Sequence, residues 1–223
     1  MKNLNLRRIF ITLLVLLLPV LYACDFKHNI QIYFSDVKKL AAGKGKGVIF
    51  AKMKITLPQN EKKCPKEKQK LFKILKKYYF GASGAKCVKE GFSTVLALKA
   101  RAPIVLAGKK GPKALISFVV TPGTSPSVEL KMNKKMFSKL DAEIQKVYYQ
   151  NIKAKNIKIN LRLVNDGSGS ASFTAYSSFV DGKAVPMTKS FKLDGREEAK
   201  VKLSEILINF IHAKGRHKIL DIQ

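Results

Sequence analysis

The sequence predicts an α+β fold: an antiparallel or mixed sheet with two long amphipathic helices, a short C-terminal helix, and a strand–helix–strand unit repeated in each half. Three observations lead there. Many short segments alternate apolar and polar residues with the period of a half-buried strand. Two longer segments, starting at Cys64 and near Asn133, instead repeat apolar residues at helical spacing. Glycine, proline and Asp-Gly pairs punctuate the intervals between them.

In chain order, His28 to Phe34 alternates as a strand. Ser35 is placed to cap a short helix, SDVKKLAA, by accepting from an orphan amide. GKGKG at 43–47 is a turn, and it lacks the spacing of a phosphate-cradling loop. Val48 to Leu57 is the next strand, expected to stop at Pro58. Cys64 to Phe80 is expected as the first long helix. Pro65 suits its first turn, Leu71, Ile74, Leu75 and Tyr78 share one face, and Lys66, Lys70, Lys73 and Lys77 share the other.

Phe92 to Ala100 and Ile104 to Ala107 are expected as two strands split by Pro103, followed by Ala114 to Val120. The TPGTSPS stretch at 121–127 marks a subdomain boundary. Val128 to Met132 then leads into a helix from Asn133, with Met136, Leu140, Ile144 and Val147 on one face. The strands Ile157 to Val164, Ala171 to Val180, Ala184 to Leu193 and Ala199 to Leu203 follow. Asp181-Gly182 and Asp194-Gly195 are expected as hairpin turns with positive φ at both central positions. Ser204 caps a last helix, SEILINFIHAK, closed by Gly215. The repeated units lie around 48–99 and 128–164. The domain organisation that follows is a removed segment 1–23, a subdomain 24–122 and a strand-rich subdomain 123–223.

The start of the chain follows another pattern. Lys2, Arg7 and Arg8 precede an apolar run from Ile9 to Leu18, which Pro19 ends before small residues appear. That is the plan of a secretory signal. From Ile9 to Ala23 the run is shorter than the about 20 residues that a spanning helix needs. Leu21-Tyr22-Ala23-Cys24 then resembles the lipobox of bacterial lipoproteins, with Tyr22 departing from the usual small residue. The resemblance implies that the Cys24 thiol receives a diacylglycerol and becomes the first residue of a lipid-anchored protein on the periplasmic face of the envelope. By similarity to enteric lipoproteins, Asp25 implies retention in the inner membrane. An uncleaved signal anchor with an idle thiol is the competing reading.

With Cys24 given to lipid, Cys64 and Cys87 remain in an oxidising compartment, which favours a disulfide over a pair of free buried thiols. His28, His212 and His217 show no ligand spacing, so no metal site is expected. The formal charge is +28, a field that attracts anionic lipid, lipopolysaccharide, cell-wall polymer or nucleic acid. Yet the cations are 37 lysines and only 6 arginines, and lysine is a hydrated point charge rather than a phosphate fork. Most of that charge is therefore read as solvated surface, and no specific nucleic-acid recognition is expected. Lys66, Lys70, Lys73 and Lys77 are the candidate anion-binding residues, as a basic helix face near anionic headgroups.

No catalytic constellation emerges. Ser35–Lys38 and Ser83–Lys86 have the S-x-x-K spacing, but the partner motifs of that set are missing. GASGA at 81–85 falls short of a nucleophile elbow, and NDGSGS at 165–170 has Ser177 where a calcium loop needs its bidentate Glu. Glu197 and Glu198 are adjacent on a strand and point to opposite faces. Neither an enzyme nor a cofactor is expected.

The lipobox, NIQIYFSDVKKLA, Cys64, Cys87 and VNDGSGSASFTAYSSFVDGKAV before a Ser-capped terminal helix together resemble a family of uncharacterised bacterial lipoproteins. The function expected is a non-enzymatic envelope component of a transport, secretion, conjugation or exclusion system, with an envelope protein as partner. The alternatives are an electrostatic binder of anionic lipid or polymer and, last, an envelope hydrolase. Clustering of cations on one face would favour the binder.

Overall fold

Eleven strands and four short helices make up residues 25–223, the part of the chain that the structure, a computed structural model, describes. The strands are β1 (Phe26–Tyr33), β2 (Val48–Gln59), β3 (Ser83–Glu90), β4 (Ser93–Leu106), β5 (Ile116–Thr121), β6 (Ser127–Met132), β7 (Ile157–Val164), β8 (Ala171–Val180), β9 (Lys183–Leu193), β10 (Glu198–Leu203) and β11 (Arg216–Ile222). The helices are α1 (Phe34–Ala41), α2 (Cys64–Leu75), α3 (Lys134–Tyr148) and α4 (Glu205–Lys214). Nine strands close a barrel in the order β10-β7-β1-β2-β4-β5-β6-β11-β8, and β8 returns to β10. β3 and β9 pair outside the ring, on β4 and β8.

This corrects the expected α+β sheet with two long helices: strand takes 48% and helix 24%. Two unforeseen strands are part of the reason. β3 has no apolar face to betray it, and β11 fills the ring between β6 and β8. The expected repeat also dissolves, because β2 lies beside β4 whereas β6 and β7 are not neighbours. TPGTSPS is the turn of the β5–β6 hairpin (Thr121 opposite Ser127), and strands from either side of it share the barrel wall.

Four local departures have identifiable causes. α2 ends at Leu75 instead of Phe80 because later carbonyls are drawn elsewhere: Tyr78 O accepts from Leu115 N and Phe80 O from Arg101 N. Neither proline breaks its strand. Pro103 lies inside β4 opposite Phe50; since Arg101 N donates to Phe80, the Pro103 nitrogen also points away from β2, into the gap between the ends of β3 and β5. No ladder bond is lost. Pro58 lies in β2 beyond the last β1 pairing, Lys27 with Thr56. Ser35 does not cap α1. The helix starts at Phe34, and Asp166 reaches over to accept from both the Ser35 N–H (3.0 Å) and its hydroxyl.

The two Asp-Gly turns differ. Asp181 and Gly182 both have positive φ, 47° and 81°, as expected of a two-residue hairpin. At Asp194-Gly195 the positive φ falls on Arg196, at 65°. Gly195 is required there for space, since a Cβ would meet Ser168 O at 2.3 Å. The cap expected at Ser204 holds, accepting from Leu207 N at 3.2 Å, and Gly215 closes α4 at φ 92°; Asn133, expected only as a helix start, also caps α3 by accepting from Met136 N at 3.1 Å.

The core lies on one side of the wall. Phe26, His28, Ile30 and Ile32 of β1 point there, with Ile157, Ile159, Leu161 and Leu163 of β7 beside them. α1 buries Phe34, Val37 and Leu40 against β1, β2, β4, β5 and β11. Side chains of this size stabilise by about 1.5–3 kcal/mol each when fully buried. Cys64 at the start of α2 is bonded to Cys87 of β3. No helix among the described residues is long and apolar enough to cross a membrane.

Candidate functional site

The other face of β10-β7-β1-β2-β4 carries polar residues, and register decides what they form. Two rows run across the five strands. One reads Lys202, Asn160, Asn29, Lys54, Lys99; the next reads Lys200, Arg162, Gln31, Lys52, Arg101. Each row therefore has a strip of amides in the middle and cations on both sides. The rows line a groove of about 940 Å³, together with Lys27, Gly81 and Ser83. Adjacent strands are about 4.8 Å apart, so the row spans about 19 Å from β10 to β4.

Eight of the lining residues are lysine or arginine, and none is acidic. Only two of the eight have a carboxylate within salt-bridge reach among the described residues: Lys54 with Glu90 at 2.8 Å, and Arg162 with Glu198. Lys27, Lys52, Lys99, Arg101, Lys200 and Lys202 have none. The like charges are also directly opposed, Lys52 to Arg101, Lys54 to Lys99 and Lys200 to Arg162. Such pairs destabilise a sheet. Two of the four arginines of the described residues, Arg101 and Arg162, sit here, so a lysine-rich composition alone does not account for the cluster. In the central strip Asn160 donates to Asn29 at 3.1 Å and Gln31 donates to the Tyr33 hydroxyl at 2.7 Å. The arrangement supplies donors and positive charge but neither an acid nor a histidine.

The sequence-predicted residues lie elsewhere. The segment 1–23 and Cys24 are outside the described residues. Lys66, Lys70 and Lys73 are exposed on α2 and Lys77 on the turn after it. None of the four lines the groove. Lys77 donates to Glu143 at 2.8 Å, and the Tyr78 hydroxyl donates to the same carboxylate at 2.7 Å. Burial and then that carboxylate push the Tyr78 phenol up to about 12. The groove residues were legible only as the polar members of alternating strands, Lys-x-Asn-x-Gln at 27–31 and Lys-x-Arg at 99–101 among them.

Other chemistry-bearing residues have structural work. Ser35 is bonded to Asp166, whose carboxyl burial would raise but whose hydrogen bonds from Ser35 hold below its ordinary value. Asn165 of NDGSGS is buried and donates to the Gly169, Leu193 and Asp194 carbonyls. His28 is fully buried with Nε2 2.8 Å from the Tyr79 hydroxyl; burial pushes its pKa down to about 4, against its backbone hydrogen bonds. No metal-binding cluster occurs among the described residues.

Residues 26–222 match a family described as a domain of unknown function, DUF7424, and the chain belongs to that family. No curated protein and no solved structure matches it.

Proposed function

We propose that this DUF7424 protein is a non-enzymatic component of the bacterial cell envelope, lipid-anchored through Cys24, whose barrel holds a phosphate-bearing ligand in the cationic groove. One observation carries the binding part. Three directly opposed like-charged pairs flank a strip of amides with no acid among the lining residues, and in one of them, Lys52 with Arg101, neither cation has a carboxylate partner among the described residues. An arrangement that costs folding energy through charge repulsion is offset when an anion lies between the banks. Arg101, which has no carboxylate partner among the described residues, suits phosphate oxygens, and the amides between the cations supply further donors. The anchoring part is supported by the pattern of residues 1–25.

The groove is tested with soluble polyphosphate as one probe and lipopolysaccharide as the other, so that polymer and lipid sources of phosphate are told apart. Mutating Lys52, Lys99, Arg101 and Lys200 to Gln abolishes binding of the preferred probe at low salt. Mutating Lys66, Lys70, Lys73 and Lys77 to Gln leaves it in place. Equal loss in both variants would return the interaction to diffuse surface charge. Anchoring is read separately: Cys24→Ser abolishes incorporation of labelled fatty acid.

A further inference from the structure

We propose that the end of the barrel where β1 begins is seated on the bilayer, with Phe92, Tyr149 and Ile206 entering the interfacial layer of the membrane. The inference rests on the tether proposed above and adds an orientation to it.

The attachment point leaves no slack. Phe26 is fully buried and already paired with Ile157 in the wall, and the Asp25 carboxylate accepts from Asn156 at 3.0 Å. Two residues of extended chain span at most about 7 Å, so a lipid on Cys24 holds this end of the body against the membrane.

The same end carries apolar side chains that no other described residue covers. Phe92 is the tip of the β3–β4 turn, beside the last β2–β4 pair, Gln59 with Thr94, and it is wholly exposed. Tyr149 ends α3 and is 90% exposed; its neighbours Tyr148 and Gln150 line a small cavity with Phe26 and Gln59, which places it at this end. Ile206 is 82% exposed in the first turn of α4, next to Glu205, which pairs with Lys158 near the start of β7. A ring with one polar end, as in Tyr149, favours the headgroup region, and the exposed lysines nearby, Lys153 and Lys155, favour an anionic leaflet.

The chain contains no tryptophan, so single substitutions report depth without background. The full-length protein is purified from a lipoprotein-processing bacterium as F92W, Y149W and K46W. Each variant is reconstituted into vesicles of phosphatidylglycerol and phosphatidylethanolamine with brominated acyl chains. Lys46 lies in the loop before β2, at the opposite end of the same strands. Emission of F92W and Y149W shifts to the blue and is quenched by brominated lipid, while K46W stays unshifted and unquenched. Fatty-acid labelling of the same preparations reads the tether. A labelled protein whose F92W and Y149W emission is unquenched overturns the seating and leaves the anchor standing. A protein that takes no label overturns both. A blue shift that grows with protein concentration in detergent without lipid would assign this end to a second copy and overturn the proposal.

Discussion

Reversing Lys52 separates a binding surface from background charge, because a binding surface makes stability rise while binding falls, whereas background charge leaves binding unchanged. Lys52 sits between Gln31 and Arg101 in its row and has no carboxylate partner among the described residues. Two unit charges about 6 Å apart in water interact by about 0.7 kcal/mol, so K52E turns a repulsion with Arg101 into an attraction of similar size. The difference, about 1 kcal/mol after screening at low salt, adds to stability. For a chain of this length that raises the midpoint of thermal unfolding by about 2–4 °C. The same reversal removes a cation from the ligand and puts an anion in its place, which weakens polyphosphate binding about tenfold. Thermal melts and calorimetric titration at low and high salt measure both, and both effects shrink at about 1 M salt, where the screening length is about 3 Å. A variant that is less stable than the parent, or that binds polyphosphate as well, would falsify the charged-groove reading.

Three further outcomes follow from the fold. Replacing both Cys64 and Cys87 with Ala removes a crosslink across a sequence separation of 23 and lowers unfolding free energy by about 3 kcal/mol, read from urea melts. His28 has a folded pKa of about 4 against 6.5 unfolded, so the unfolded chain binds the proton first. Its contribution is complete above pH about 6.5 and is lost as pH falls towards 4, an effect of about 3 kcal/mol that H28Q removes from the stability–pH profile. G195A drives a methyl group into Ser168 O and costs about 1–3 kcal/mol, which a lowered melting midpoint checks.

Local signals were sufficient where structure is local. The limits of β7 and β8, the start of α3 after Asn133, the cap at Ser204 and the glycine stop at Gly215 follow from side-chain chemistry within a few residues. β3 was hidden because SGAKCVKE has no consistently buried face. Ring closure was hidden because β11 is defined by its partners, β6 and β8, rather than by its own alternation. The groove shows the same limit. Its cations occur as short alternating pieces near 27, 52, 99, 160 and 200, each unremarkable in a lysine-rich chain. Only the parallel pairing of β1 with β7 brings them onto one face. A composition count cannot distinguish charges spread over a surface from charges stacked in register.

That parallel pairing also constrains how the protein reaches its folded state. The first described strand, β1, lies mid-sheet, and its partner Ile157 is made 131 residues after Phe26. Contacts of such long sequence separation form slowly, since the intervening chain must be ordered before they return any energy. The edge of β1 that faces β7 stays unpaired until β7 has been made, and the ring itself closes only when β11 is available. Unpaired strand edges invite intermolecular pairing. Repulsion between chains that each carry a formal charge of +28 opposes such pairing while the ring is still open.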